Sequence, residues 1–101
     1  PCLVSGLVPD TYALDQNYPN PFNPKTAIRF HIPQGGHVNL RIYNVTGQLV
    51  RELTDAHREA GSYQVSWDGQ NDQGQLVPSG IYFCQMKTGD YTTTRKMALI
   101  K

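Results

Sequence analysis

Apolar residues recur at every second position through much of the chain. Ile28, Phe30 and Ile32 alternate with Arg29 and His31, and Val38, Leu40 and Ile42 alternate with Asn39 and Arg41. Successive side chains of extended backbone point to opposite sides, so this period predicts strands with one buried face. A further strand, Gln48 to Leu53, follows Val45-Thr46-Gly47, where glycine supplies the positive φ of a tight turn, so that 37–45 and 48–53 form a hairpin. Tyr63, Val65 and Trp67 alternate with Gln64 and Ser66 as far as Asp68-Gly69. Gly80 to Met86 reads as the next strand, with Tyr82, Cys84 and Met86 on its core face. "KTGD" then turns the chain into a last strand, Tyr91 to Ile100. Thr92-Thr93-Thr94 offers polar groups to both of its faces, so its register stays open until Met97 and Leu99 resume the pattern.

No segment keeps a helical period over three turns. "ELTDAHREAG" is the only candidate, and it is short and ends at Gly61, so it is read as a loop with at most one helical turn. Adding an extended piece around Tyr12 to Asn17 gives about seven strands with regular turn signals. That pattern predicts an all-β fold, a two-sheet antiparallel sandwich of immunoglobulin or fibronectin III type, with Trp67 in its core.

One stretch breaks the alternation. In "NYPNPFNP" the residues before Pro19, Pro21 and Pro24 are Tyr18, Asn20 and Asn23. Each proline fixes its own φ and pushes the preceding residue toward extended backbone, so the segment is stiff before any tertiary contact forms. Lacking N–H groups, the prolines suit an edge or a crossover rather than a central strand, and Asn17, Asn20 and Asn23 can satisfy nearby backbone through their side chains. Phe22 is the one large apolar group in its middle and is expected to plug one end of the sandwich.

A chain of 101 residues buries roughly two-thirds of its unfolded surface, enough for one independent domain. Nine basic against eight acidic residues leave no electrostatic footprint for nucleic acid or an anionic membrane, and no apolar run is long enough to span a bilayer. Direct membrane insertion is therefore not expected. The absence of an initiator Met suggests a piece of a longer protein.

The residues also carry a family resemblance. "LDQNYPNPFNPKTAIRFHIP", "VNLRIYNVTGQLVREL", "AGSYQVSWDGQNDQGQLVPSGIYF" and "TRKMALIK" together resemble the C-terminal sorting domain of the type IX secretion system, type A. The same pattern is similar to the immunoglobulin-like domain of the flagellar hook-capping protein FlgD. The resemblance runs from about Ala13 to Lys101, so residues 13–101 are expected to form the sorting domain and residues 1–12 the tail of a linker from an upstream protein. It implies a non-catalytic module that targets upstream cargo domains of the same chain to the cell surface or medium, by way of the periplasm. Its partners would be an outer-membrane translocon and a sorting peptidase. The motif residues it implies are Pro19, Asn20, Pro21 and Phe22, then Gly80 and Tyr82, then the basic terminal segment with Arg95, Lys96, Leu99 and Lys101. Cys84 departs from the aromatic commonly expected at its position. A terminal strand from Lys96 to Lys101 is further expected to lie at a sheet edge with unpaired backbone groups, open to strand addition by a partner.

Other chemistry is weaker. Asp68, Asn71 and Asp72 gather oxygens that a hard cation such as calcium would want, yet Gln73 and Ser79 stand where an EF-hand loop needs glycine and glutamate. A turn whose Asp and Asn side chains bond nearby backbone is the favoured reading, and no cofactor or metal is expected. His31, His37 and His57 share no ligand spacing, and no nucleophile or phosphate-loop motif is present, so catalysis is not expected. Asn44-Val45-Thr46 reads as a chance match to a glycosylation acceptor. Two cysteines are too few for a disulfide scaffold, and a Cys2–Cys84 bridge is disfavoured. The alternative function is an accessory spacer or a carbohydrate-binding sandwich of an extracellular enzyme, for which Tyr43 and Tyr91 are the only exposed aromatic candidates.

Overall fold

The computed structural model describes residues 11–22 and 25–100. Seven strands follow one another: β1 (Ala13–Leu14), β2 (Thr26–Ile32), β3 (Gly36–Tyr43), β4 (Leu49–Arg58), β5 (Gly61–Trp67), β6 (Gly80–Thr88) and β7 (Tyr91–Leu99). They form two antiparallel sheets, a three-stranded one in the order β1-β2-β5 and a four-stranded one in the order β4-β3-β6-β7. This is the expected immunoglobulin-like sandwich, with no helix among the described residues.

The alternation of the sequence becomes the core. Ile28, Phe30 and Ile32 of β2 face Val38, Leu40 and Ile42 of β3, joined by Tyr82, Cys84 and Met86 of β6 and by Trp67 at the end of β5, all buried. Each large apolar side chain so removed from water contributes about 1.5–3 kcal/mol, which is why period two alone places these strands. The open question of the last strand is resolved by pairing: β7 runs antiparallel to β6 from Gly80↔Leu99 to Thr88↔Tyr91 without a register shift. Met97 and Leu99 thereby enter the core.

The expectation for "ELTDAHREAG" is corrected. Glu52 to Arg58 continue β4, a ten-residue strand, rather than forming a loop or a helical turn. Two features of β4 hide it from a period-two reading. It is an edge strand, and Thr54 is its only buried residue. It also carries two bulges against β3: Leu40 faces Thr54 but Arg41 faces Glu52, and Ile42 faces Arg51 but Tyr43 faces Leu49. Leu53 and Val50 are the extra residues, and each bulge moves the apolar position by one, so the alternation cancels.

The hairpin turn between β3 and β4 is built as expected. Gly47 has φ +85°, the left-handed region that an L side chain resists, and Asn44 Oδ1 accepts the amides of Thr46 and Gln48. The side chain of Asn44, the one residue in an acceptor pattern for glycans, is thus part of the turn itself.

Candidate functional site

The proline-rich stretch is a crossover between the sheets. Tyr18 exchanges both backbone hydrogen bonds with Ala27 of β2 at 3.0 Å, and four residues later the Phe22 amide donates to Ala98 O while Phe22 O accepts from Ile100, each at 2.9 Å. The chain therefore leaves the three-stranded sheet and ends beside β7 of the four-stranded one, which closes one side of the sandwich. Such a path needs backbone that can do without a regular ladder, and proline, with no N–H to leave unpaired, fits it. The Tyr18–Pro19 and Asn20–Pro21 peptide bonds are both cis.

Side chains supply what the ladder does not. Asn17, buried, donates from Nδ2 to Thr26 Oγ1 and to Pro19 O, and Thr26 Oγ1 donates to Pro19 O. Asn20 Oδ1 accepts the Ala98 amide at 3.0 Å, and Gln16 Nε2 donates to Lys96 O at 2.6 Å. Of the three asparagines expected to satisfy backbone, Asn17 and Asn20 do so, while Asn23 lies outside the described residues. Gln16 is invisible in the sequence as a member of this site, because nothing in its neighbourhood distinguishes it from any polar surface residue.

Phe22 plugs the end of the sandwich as its position predicted. Its ring lies 5.5 Å from that of Trp67, which in turn meets Tyr82 edge-on at 5.4 Å. The polar ends of both larger aromatics are satisfied, Trp67 Nε1 donating to Gln70 O and Tyr82 Oη to Pro78 O. Burial raises the Tyr82 phenol above its ordinary value.

The structure thus gathers most of the motif residues, though they are up to about 80 positions apart, at one side and end of the molecule. Gly80 is the partner of Leu99 across the β6–β7 ladder, with φ +155° as the reason for glycine there. Arg95 reaches from β7 to donate to Leu14 O at 2.7 Å. Phe22, Tyr82 and Leu99 are buried and serve packing, whereas Pro19, Asn20, Pro21, Arg95 and Lys96 are exposed and within reach of another molecule. Lys101 lies outside the described residues.

The expected bare edge at the end of the chain is corrected. Toward the end of the chain the outward backbone groups fall on Lys96 and Ala98 of β7 and on Ile100 beyond it, and Gln16, Asn20 and Phe22 engage Lys96 O, both groups of Ala98 and the Ile100 amide. The opposite edge is sealed at one place in a similar way: Val50 O accepts the Asp72 amide, and Asp72 Oδ1 accepts the Glu52 amide.

That second seal belongs to the loop between β5 and β6, the stretch rich in oxygen ligands. Asp68 Oδ1 accepts the Gln70 amide, and Asn71 Oδ1 accepts the amides of Gln73 and Gln75. Arg51 lies 3.7 Å from Asp68 and 3.8 Å from Asp72. These oxygens are committed to backbone and to a guanidinium, the arrangement favoured over a cation loop. Beside this loop a groove of about 610 Å³ opens toward the β3–β4 turn, with exposed Val45, Leu49 and Ile81 on its walls.

The remaining candidates are dispersed. His31 is not merely solvated but lies between Ser62 Oγ and Asp15 Oδ2, while His37 meets Asp55 and His57 meets Glu59. Tyr91 stacks on Tyr12 with centroids 5.1 Å apart and is no neighbour of Tyr43. Tyr43 instead faces Phe83 across the β3–β6 ladder on the outer side of the sheet. Burial pushes the Cys84 thiol up to about 12, which keeps it protonated and unreactive. Cys2 lies outside the described residues.

Solved structures with the same architecture give the comparison. The latent, dimeric PorU of Porphyromonas gingivalis is similar over 94% of this chain at 21% identity, with a TM-score of 0.67. PorZ of the same organism, described as an essential bacterial surface component of the type IX secretion system, is similar over 91% at 23% identity, with a TM-score of 0.58. FlgD of Xanthomonas campestris, tied to hook capping in flagellar assembly, is similar over 91% at 22% identity, with a TM-score of 0.57. The chain spans only 10% of the PorU chain, 12% of the PorZ chain and 64% of the FlgD chain. At these identities the likeness is one of fold. No curated protein matches the sequence. The family model of the FlgD Ig-like domain matches residues 23–93, well over half of the 101 residues, and the chain therefore belongs to the FlgD Ig-like domain family.

Proposed function

We propose that this domain is a non-catalytic sorting module, by which cargo joined to its N-terminal side is recognised by a type IX secretion machine and carried to the cell surface or medium. The observation that carries this reading is the convergence of Pro19–Phe22, Gly80, Tyr82, Arg95 and Leu99 on the last strand. Residues from both ends of the domain build one surface there, so the last strand is presented in this setting only when the whole sandwich has folded. The fold it shares with parts of PorU and PorZ supports the link to that secretion system.

The test is one of sufficiency. The 101-residue chain is fused behind a reporter that a leader peptide delivers to the periplasm of a host with a type IX machine. The reporter is expected outside the outer membrane, and its retention in the periplasm would refute the sorting role. Deleting Lys96 to Lys101 is a poorer test, because it also removes Met97 and Leu99 from the core.

A second reading, a surface-binding accessory module, is favoured by the Tyr43–Phe83 pair. Two half-exposed aromatics facing each other across neighbouring strands can stack on sugar rings. Retardation of the domain in a polysaccharide affinity gel, lost in both Tyr43→Ala and Phe83→Ala, is the outcome this reading requires.

A further inference from the structure

We propose that the edge of β7 between Thr92 and Ala98 is a strand-addition site for an extended, carboxylate-bearing segment of a partner, and that Gln16 and Asn20 are removable guards over its C-terminal half. This deepens the sorting reading by naming the surface that is read, and rests on it for the origin of the partner.

The edge is unequally covered. Outward groups alternate along a strand, so the bonds at Lys96, Ala98 and Ile100 place the preceding ones on Thr92 and Thr94. Among the described residues, no backbone partner reaches Thr92 or Thr94 on that side. At Lys96 O and the Ala98 amide the partners are side chains, those of Gln16 and Asn20. Only at Ala98 O and the Ile100 amide does backbone take over, through Phe22, whose ring is locked beneath Trp67. Among the described residues, a strand adding from the Thr92 end finds an uncovered toehold, then two groups freed by side-chain rotation, then a fixed stop. The crossover cannot zip along β7 itself, because Pro19 and Pro21 have no N–H to donate and Tyr18 is tied to Ala27.

Charge selects the partner. Tyr91 to Leu99 contain Arg95 and Lys96 and no carboxylate, and neither residue forms an ion pair among the described residues. Lys87, on the neighbouring strand, faces Thr92 across the ladder. Lys96 and Lys87 share the outer face of the sheet, whereas Arg95 lies on the inner face and is held by Leu14 O, so carboxylates on the outer face of an added strand would be attracted and a basic strand repelled. The β4 edge offers no equivalent, since Asp72 occupies Val50 and Glu52 and places its own negative charge there.

The probe is a fluorescein-labelled peptide of alternating Glu and Val, about nine residues long to cover the site at ~3.4 Å per residue. Binding to the full chain is followed by anisotropy. The Gln16→Ala/Asn20→Ala variant is expected to bind about five- to tenfold more tightly, the factor carried by roughly one hydrogen bond no longer in competition. Thr94→Pro removes an outward donor without touching the β6 ladder and should abolish binding. Thr92→Pro serves the same purpose if Thr94→Pro shifts the unfolding midpoint. Added salt, or Gln in place of Glu in the peptide, should weaken binding. Affinity unchanged by the proline, or no gain in the double variant, overturns the proposal. Normal export of the reporter with such a result leaves sorting standing and removes this edge, whereas peptide binding without export removes sorting alone.

Discussion

Phe22 is the residue on which the closed side of the sandwich depends. It is buried against Trp67 and flanked by its two backbone bonds to β7, so Phe22→Ala removes a ring from a site that the stiff crossover cannot collapse to fill. A loss of about 3–5 kcal/mol is expected by urea unfolding, with Phe22→Leu costing clearly less. Thr54 is the opposite case. It is buried and its Oγ1 has no hydrogen-bond partner among the described residues, so Thr54→Val, which keeps the shape and drops the polar atom, should raise stability by about 1 kcal/mol. Cys84 links stability to alkaline pH. Its thiol, ordinarily near 9.0, is pushed up to about 12 by burial, so the folded state holds a proton that the unfolded chain releases. The stabilisation is complete below pH 9 and is lost as pH rises through the window toward 12, on the order of 1 kcal/mol by pH 10. Cys84→Val should flatten the fall in unfolding free energy over this window relative to the unmodified chain.

The elements fall into two kinds according to how their neighbours constrain them. Strands β2, β3 and β6 are packed on one face and paired on both sides, so their central inward positions are apolar, with Thr26 and Thr88 at strand ends the buried polar exceptions, and the pattern is legible in the sequence. Strand β4 has only one paired side and two bulges, and its sequence is accordingly free to look like a loop. The crossover depends on composition in place of periodicity. Prolines announce a segment outside the ladder, but which groups of β7 it would touch depends on where β7 lies. Asn17→Ala tests that element directly. It strips three hydrogen bonds, two donated by Asn17 Nδ2 and one accepted by its Oδ1 from Gln16, and leaves Thr26 and Pro19 less satisfied, so a loss of about 1–3 kcal/mol is expected. Circular dichroism should report an unchanged β spectrum below the lowered unfolding midpoint.

For the whole molecule, the closed sides matter more than the faces. A sandwich of seven strands has lateral edges that invite pairing with other chains. Here one side is covered by the crossover from Lys96 onward and the other is interrupted by the loop that carries Asp72. Gel filtration should therefore find the unmodified domain monomeric, and Asn20→Ala combined with Gln16→Ala more prone to self-association at high concentration. The same closure couples both ends of the domain, since Leu14, Gln16, Asn20 and Phe22 all bond to residues of the final stretch from Arg95 to Ile100.

The sequence by itself determined the class of fold, the inward faces of four strands, the glycine turn at Gly47 and the stiffness around Phe22. Each of these follows from local backbone preference or from the two-residue repeat of a buried face. Only the tertiary structure decided the course of β4, the register of β7 and the pairing of Gln16, Asn20 and Phe22 with the last strand. These depend on contacts between residues distant along the chain, where a polar side chain looks the same whether it meets water or a backbone group some 80 positions away.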